Sequence, residues 1–282
     1  MKLDDLEESQ NVEDRRGSGG GRGAVLGGGL GTIVVLVAVV FFGAPKELLE
    51  LVGGQGGGTV ASAPASPEDE QLAVLVKKVL RSTELVWADE FEKMGSHYQA
   101  PHLVIFSHQA QTGCGTADSG VGPFYCPADQ TVYIDLSFYR ELKQRFGAPG
   151  DFAQAYVIAH EIGHHVQHEL GLSRPLDEAR GRVSETQQNA LSVRLELQAD
   201  FLAGLWARKQ NDQTHFLEPG DIEEAMIAAK AIGDDALQRQ ATGHVVPDSF
   251  THGTSEQRMR WFNKGYQSGD IRQGDTFSAR EL

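Results

Sequence analysis

The stretch that most constrains the fold is HEIGHHVQH, residues 160–168, because its polar side chains can act together only on a helix. On a helix, His160 and His164 are one turn apart and face the same way, so both imidazoles can reach one metal ion. Glu161 is rotated by about 100° from His160 and can approach a water on that ion. H-E-x-x-H helices bind zinc in this way, and their glutamate removes a proton from the water. The stretch therefore predicts two zinc ligands and a general base.

His165 and His168 complete the stretch, but helical geometry argues against both as ligands. His168 shares the face of the first two histidines, yet it lies about 12 Å from His160 along the helix axis, too far for one ion. His165 points about 100° away from His164. We interpret both as helix-surface or supporting residues. The alternative for the five-residue motif as a whole is an ordinary helix with surface histidines.

A third ligand is predicted on the next long helix, in the segment RLELQADFLAG. Glu196 and Asp200 are four residues apart and share one helix face. Burying two carboxylates on an otherwise apolar face is unfavourable unless they are paired or bound to metal. Glu196 as the third ligand of one zinc ion, with Asp200 as the hydrogen-bond partner of a ligand histidine, meets both conditions. An exposed acidic face is the alternative.

The spacing of apolar residues predicts an α+β fold for residues 68–282, with a short mixed or antiparallel sheet and helices that carry the two motifs. A capping box at Ser184 and Gln187 marks the start of the second motif helix. Gly163 is unfavourable inside the first motif helix, and a neighbouring backbone close by would explain it. The predicted helices are 69–94 (with a break), 136–147, 151–171, 184–210, one or two between 221 and 240, and 255–269; the predicted strands are 102–107 and 130–138.

The N-terminal quarter predicts a membrane anchor. Residues 1–23 are polar and predict a disordered, cytoplasmic tail. Residues 24–44 carry no charge, and as a helix they would span about 31 Å, which is enough for one transmembrane helix. Three arginines precede this run and one lysine follows it closely, which predicts a single-pass inner-membrane protein with its catalytic domain extracytoplasmic. Residues 45–67 predict a flexible linker of Gly, Ala, Ser and Pro. A cleaved signal peptide is the alternative, but small residues are poorly placed for cleavage.

Charge and cysteine content narrow the classes of function. The formal net charge of −14 excludes a basic nucleic-acid footprint. The two cysteines, Cys114 and Cys126, bracket a Gly-rich loop and are spaced too widely for a C-x-x-C pair. In an oxidising compartment they predict a disulfide that closes this loop. Two free, buried thiols are the alternative.

Four segments occur in a fixed order: GPFYCPADQTVYID at 122–135, HEIGHH at 160–165, ELQAD at 196–200 and HGTSEQR at 252–258. With them the chain resembles the glutamate-type zincins, in which two histidines and a downstream glutamate bind zinc. More specifically, it resembles the bacterial family of putative neutral zinc metallopeptidases. The resemblance covers nearly the whole chain. It implies a zincin-like domain, one Zn²⁺ per chain and a peptide or protein substrate, with a short membrane anchor in front.

The resemblance also suggests where a substrate would lie. In zincins a strand near the active-site helix pairs with an extended peptide. The candidate is the segment around Tyr133 and Ile134, where Pro127 fits an edge strand better than a central one; an ordinary sheet strand is the alternative. His252 or Arg258 could stabilise the transition state, and His252 is our choice, with a helix-capping or packing role as its alternative.

Together these features predict a membrane-anchored zinc metallopeptidase with Glu161 as general base. Two alternatives stay open at this point. One is a non-catalytic zincin-fold protein for binding or assembly, which the intact Glu161 disfavours because a structural site needs no base. The other is a zinc hydrolase of a non-peptide amide, such as a cell-wall component.

Overall fold

The computed structural model describes residues 1–16 and 66–282, and it places them in an α+β fold. Within these ranges there are eight α-helices and two small sheets. The strands are β1 (Val12–Asp14), β2 (His102–Phe106), β3 (Gln109–Thr112), β4 (Gly115–Asp118), β5 (Phe124–Cys126) and β6 (Thr131–Asp135). The helices are α1 (Pro67–Lys93), α2 (Ser137–Gln144), α3 (Asp151–Glu169), α4 (Arg174–Ala179), α5 (Glu185–Thr214), α6 (Asp221–Ala231), α7 (Asp234–Thr242) and α8 (Ser255–Ser268).

The larger sheet is mixed, as predicted, and its strand order is β1-β2-β6-β5. Strands β1, β2 and β6 are parallel, whereas β5 runs antiparallel to β6. The smaller sheet is the β3–β4 hairpin. All five residues of β6 are buried, because this strand has neighbours on both sides, the main core against one face and the cluster around the β3–β4 hairpin against the other. The sheet therefore offers β5, and not β6, as the free edge nearest the motif helices.

This strand order corrects the predicted substrate strand. Tyr133 and Ile134 lie on β6, which pairs with β2 on one side and with β5 on the other. Their backbone groups have no free edge on which to receive an extended peptide, so the prediction that they bind substrate is wrong. Pro127 lies in the turn after β5, where a residue without an N–H does not interrupt a ladder.

Residues 1–16 correct a second prediction, because they are part of the folded body. β1 pairs in register with β2, and the side chain of Leu3 is buried in the main core. Ser9 Oγ donates a hydrogen bond of 2.5 Å to the buried carboxylate of Glu84 on α1. Arg16 donates to the backbone oxygen of Asp69 at 3.1 Å. The predicted disordered tail is therefore wrong for these residues; the polar side chains that suggested it make the contacts.

The predicted anchor at 24–44 and almost all of the linker at 45–67 lie outside the described residues. α1 begins at Pro67 after the N-cap Ser66, one residue from the predicted domain start, and it runs to Lys93 without the predicted break. Among the helices that the structure describes, none is both long and apolar enough to cross a membrane.

The helices pack through close approaches at glycine. A Cβ on Gly163 of α3 would lie 3.0 Å from the backbone oxygen of Ala199 on α5, which is the close neighbouring backbone expected from the sequence. A Cβ on Gly204 of α5 would meet the carbonyl oxygen of Phe262 on α8, and one on Gly265 of α8 would meet that of Phe201, each at 2.0 Å. The three helices thus approach one another more closely than side chains would allow. This packing brings the two motif helices together.

The predicted disulfide between Cys114 and Cys126 is present. It ties the turn of the β3–β4 hairpin to the end of β5. The segment between the two cysteines leads from the hairpin into β5 and forms one side of the cleft described below.

Candidate active site

His160 and His164 on α3 meet Glu196 on α5 in the protein interior. Each of the three side chains is at most 8% exposed. His160 Nε2 lies 3.1 Å from one carboxylate oxygen of Glu196, and His164 Nε2 lies 3.4 Å from the other. One ligand atom from each residue falls within 4.8 Å of the others. The structure therefore brings together the three residues that the sequence predicts as metal ligands.

The chemistry of this donor set fits zinc. Two imidazole nitrogens and one carboxylate are the protein ligands of one class of catalytic zinc site, which keeps its fourth position for water or substrate. Burial pushes the pKa of Glu196 up, but the nearby His164 and His252 outweigh it and hold that pKa well below its usual value. Glu196 is thus a carboxylate, the form that binds metal. These three residues would hold the ion.

His160 is oriented from behind by Asp200. Its Nδ1 lies 2.8 Å from Asp200 Oδ1, so a proton assigned to Nδ1 leaves Nε2 free toward Glu196 and the metal. Burial lowers the pKa of His160, but Asp200 and Glu196 outweigh it and raise the pKa to about 9. The predicted supporting role of Asp200 matches this geometry.

Asp200 itself is fully buried and held by two further groups. Arg258 on α8 contacts both of its oxygens, through Nε at 2.9 Å and Nη2 at 3.0 Å, and Tyr156 Oη donates to Oδ1 at 2.6 Å. Burial raises the pKa of Asp200, but Arg258 and His160 outweigh it and lower it to about 2. Arg258, considered from sequence as a transition-state group, therefore lies behind the ligand histidine and neutralises its partner.

His164 has a different partner, which sequence reasoning missed. Its Nδ1–H donates to Gln167 Oε1 at 2.9 Å. Gln167 Nε2 in turn donates to the backbone oxygen of Leu195 at 2.7 Å and to Gln198 Oε1 at 3.1 Å. Gln198 Nε2 continues the chain to the backbone oxygen of Gly274 at 2.9 Å. One ligand histidine is thus oriented by a buried carboxylate and the other by a neutral amide.

Glu161 lies beside the ligands with an environment suited to a base. The residue is buried, with 8% of its surface exposed. Burial raises the pKa of Glu161, and the histidines and the backbone N–H of Tyr125 on β5 reduce the shift without reversing it. A carboxylate with a raised pKa holds a proton more readily near neutral pH. The Tyr125 contact also places the edge strand β5, and not β6, against the base.

His252 lies across the cleft and is held by Asp234. The distance from His252 Nδ1 to Asp234 Oδ1 is 3.2 Å. The other oxygen of Asp234 accepts backbone N–H groups from Thr251, His252 and Gly253 at 2.7–2.9 Å. Burial lowers the pKa of His252, but Glu196 and Asp234 outweigh it and raise it. The sequence did not indicate Asp234 as the partner of His252, because an aspartate that begins a helix after a glycine looks like an ordinary capping residue.

The structure separates the two remaining histidines of the motif from the ligands, as predicted. His165 is not on the helix surface, however; it is fully buried. Its Nε2–H donates to the backbone oxygen of Gln99 at 2.6 Å, and its Nδ1 accepts from Tyr125 Oη at 3.1 Å. Burial lowers the pKa of His165, which fits a neutral ring that supports β5. His168 is partly exposed and lies 3.4 Å from Gln130 Nε2.

A cleft opens over the ligands and the base. Its lining combines this polar floor with apolar walls from the segment before β5, from α2 and from α7, and it includes Phe124 but neither Tyr133 nor Ile134. Tyr133 instead stacks on Phe124, with ring centroids 5.2 Å apart, and its hydroxyl donates to Asp129 at 2.8 Å. Its role is to support the cleft wall from behind.

Comparison with known proteins agrees with this geometry. The family model described as "Putative neutral zinc metallopeptidase" matches residues 1–277. "Uncharacterized protein YpfJ" of Escherichia coli (strain K12) is 49% identical over 284 residues, which cover 98% of this chain and 99% of that protein. "Uncharacterized protein Rv2575" of Mycobacterium tuberculosis (strain H37Rv) is 47% identical over 197 residues, which cover 66% of this chain and 65% of that protein. No solved structure matches the chain.

Proposed function

The chain belongs to the putative neutral zinc metallopeptidase family, and from that premise we propose that it is a working zinc-dependent peptidase that hydrolyses peptide bonds. The observation that carries the proposal is Glu161. It stands next to the His160–His164–Glu196 set, buried, with a raised pKa, on the wall of an open cleft. A site that held zinc only for structure would be closed by a fourth ligand and would need no such base.

The residues divide the chemistry among them. When zinc is bound, it supplies a Lewis acid that polarises the substrate carbonyl and lowers the pKa of a water. Glu161 accepts the proton of the attacking water and delivers it to the nitrogen of the leaving amine. His252 donates a hydrogen bond toward the negative charge that develops on the carbonyl oxygen. Because Asp234 engages its Nδ1, Nε2 is the nitrogen that His252 has left for this purpose.

The two alternatives from the sequence differ from this proposal in testable ways. A non-catalytic protein for binding or assembly has no use for Glu161 or for the His252–Asp234 pair. A zinc hydrolase of a non-peptide amide, such as a cell-wall component, would use the same ligands and the same base. The substrate assay below therefore includes both kinds of amide.

Location is also part of the proposal. We place the cleft outside the cytoplasm, because a disulfide between Cys114 and Cys126 persists in an oxidising compartment. Attachment to the inner membrane through residues 24–44 falls outside the described residues and stays a prediction.

The test compares three forms of the full chain: the parent, Glu161→Gln, and Glu169→Gln, a matched control at the far end of the same helix. Metal content by mass spectrometry should give one zinc ion per chain in all three. Cleavage of a mixed peptide library should fall by about 10²–10⁴-fold in Glu161→Gln alone. A parent that binds no zinc would contradict the site. Equal cleavage by Glu161→Gln would contradict the base, and cleavage of cell-wall fragments without peptides would favour the amide hydrolase.

A further inference from the structure

The walls of the cleft beside the metal ligands are mostly apolar. Val157 precedes His160 by one turn of α3 and so shares its face, forming an apolar patch on the floor. The loop before β5 and α2 form one wall, and α7 contributes to the other. The apolar side chains that matter for this argument are Val121, Phe124, Phe138, Phe146, Val157 and Leu237.

Several contacts hold the first wall in place. Phe124 stacks on Tyr133 at an interplanar angle of 14°, and the disulfide fixes the end of the same strand. Gly122 has a φ of +79°, which a residue with a side chain rarely adopts, and a Cβ there would lie 3.6 Å from the ring of Phe138. The backbone thus lies directly over that ring. The wall is preorganised, so filling the cleft does not require ordering it first.

Most of the buried polar groups of the cleft are already engaged. Asp234 accepts three backbone N–H groups and holds His252, and Arg258 is directed at Asp200. Glu141, at the cleft, is half exposed and lies 3.8 Å from Arg145. Apart from the ligands, the base and His252, the described lining therefore leaves a substrate mainly apolar surface to contact.

The size of the cleft limits what can fill it. Its volume is about 140 Å³. Apolar cavities of about 150 Å³ admit one benzene ring. The space thus suits one large side chain and is poorly filled by alanine.

From this shape and polarity we propose that the substrates are peptides with a large apolar residue, such as Leu, Met or Phe, next to the scissile bond. The proposal rests on the proposed peptidase function, since it assigns the cleft to the side chain that flanks the bond under attack. Each buried methylene contributes about 0.8 kcal/mol, and discrimination in such pockets is about 10–200-fold. A charged side chain in the apolar part of the cleft would lose hydration without gaining a buried partner.

The experiment uses a peptide series that carries Ala, Leu, Phe, Asp or Lys at each of the two positions that flank the scissile bond. Cleavage by the zinc-loaded parent is measured as kcat/KM, and binding to zinc-loaded Glu161→Gln is measured separately by calorimetry. At one of the two positions, Leu and Phe should exceed Ala by about 10-fold or more in both measurements, with Asp and Lys below Ala. A flat profile, or a preference for a charged residue, would overturn the assignment.

Two outcomes separate this inference from the function on which it rests. If Glu161→Gln binds the Leu and Phe peptides selectively but the parent cleaves none of them, the apolar preference is supported and the peptidase function is contradicted. If the parent cleaves all peptides of the series equally well, the peptidase function is supported and the apolar preference is contradicted. Phe138→Ser, at a partly exposed site, should reduce the Leu-to-Ala ratio, while Val183→Ser, an exposed control outside the cleft, should leave it unchanged. Leu237→Ser on the opposite wall repeats the test if Phe138→Ser fails to fold.

Discussion

Arg258 donates two hydrogen bonds to Asp200, from Nε to Oδ2 at 2.9 Å and from Nη2 to Oδ1 at 3.0 Å, and both side chains are almost fully buried. Through Asp200 the last helix, α8, is connected to the ligand histidine of α3. The conformation of His160 therefore depends on a residue about a hundred positions further along the chain.

Replacing Arg258 by Ala should be among the most damaging single changes. It leaves the buried carboxylate of Asp200 without its guanidinium partner, and breaking a buried ion pair typically costs about 3–5 kcal/mol. Urea unfolding of the metal-free protein measures this loss. Arg260→Ala, at a half-exposed site on the same helix, should change the unfolding free energy by less than about 1 kcal/mol. If both variants lose a similar amount of unfolding free energy, the buried ion pair contributes no more to stability than a surface arginine does.

Replacing Gln167 by Ala should weaken zinc binding by about 10–100-fold, because His164 loses the acceptor that orients it. Competition with a chelator measures the affinity directly, without any substrate. Gln267→Ala, on the exposed face of α8, is the control. Unchanged affinity in Gln167→Ala would mean that the helix alone orients the ligand.

Asp234 should make folding stability depend on pH in a defined direction. Burial raises its pKa, but His252 and the backbone N–H groups outweigh it, so the folded pKa lies below the ordinary value of 3.8. A lowered pKa stabilises the fold above the unfolded value, and this stabilisation is lost as pH falls through the folded one.

Asp234→Asn should therefore cost about 2 kcal/mol near neutral pH, the scale of hydrogen bonds to a charged group. The difference from the parent should shrink as pH drops below 3.8. Chemical unfolding across this range checks the sign, and a difference that grows in acid would contradict it. Because Asp234 also orients His252, kcat should fall in the same variant.

Removing the disulfide should loosen the cleft wall. The bonded cysteines are 12 residues apart, and closing a loop of similar length contributes about 3 kcal/mol. The double variant Cys114→Ser/Cys126→Ser should lose about this much stability, measured as Tm and by urea unfolding. Reductant should bring the parent to the level of the variant and leave the variant unaffected. If reductant leaves the stability of the parent unchanged, the disulfide does not stabilise the wall.

Truncation should show that residues 1–16 belong to the domain. A fragment of residues 66–282 lacks β1, exposes the edge of β2 and opens the core around Leu3, so it should unfold at lower urea concentration than the full chain. A version in which a short Gly-Ser linker joins Arg16 to Ser66 should keep full stability, because Arg16 already contacts Asp69. Equal stability of both versions would contradict a structural role for β1.

The grouping of His160, His164 and Glu196 was predictable in part, because spacing along each helix is a local feature of the sequence. Spacing of four residues on a helix fixes which side chains share a face, which pairs His160 with His164 and Glu196 with Asp200. That the two pairs face each other was predicted from the two motifs together. The partner Gln167 also lies on the motif helix, but a glutamine carries no signal that separates it from a surface residue. Asp234 is brought to His252 by tertiary packing, and short-range patterns do not report such contacts.

The sheet shows the same limit. Strand order depends on which distant segments pair, and the three-residue strand VED resembles a polar tail until β2 is seen beside it. β2 pairs with one side of β6 and β5 with the other, so the free edge lies at β5. The misplaced substrate strand follows from β5, the three-residue neighbour of β6 that the sequence did not predict.

The contact of Arg16 with α1 bears on which side of a membrane each part of the chain can lie. Arg16 reaches the backbone of Asp69 and the carboxylate of Glu70, so the flanks of the intervening stretch emerge side by side from one folded body. A segment that crosses a bilayer once delivers its flanks to opposite faces. A single crossing by residues 24–44 would place Arg16 and Asp69 on opposite faces of the bilayer, so labelling on either side of this stretch tests the prediction. With β1 in place, a thiol reagent that cannot pass the membrane should label cysteines introduced at the exposed positions Asp5 and Glu178 from the same compartment, the one that the cleft faces.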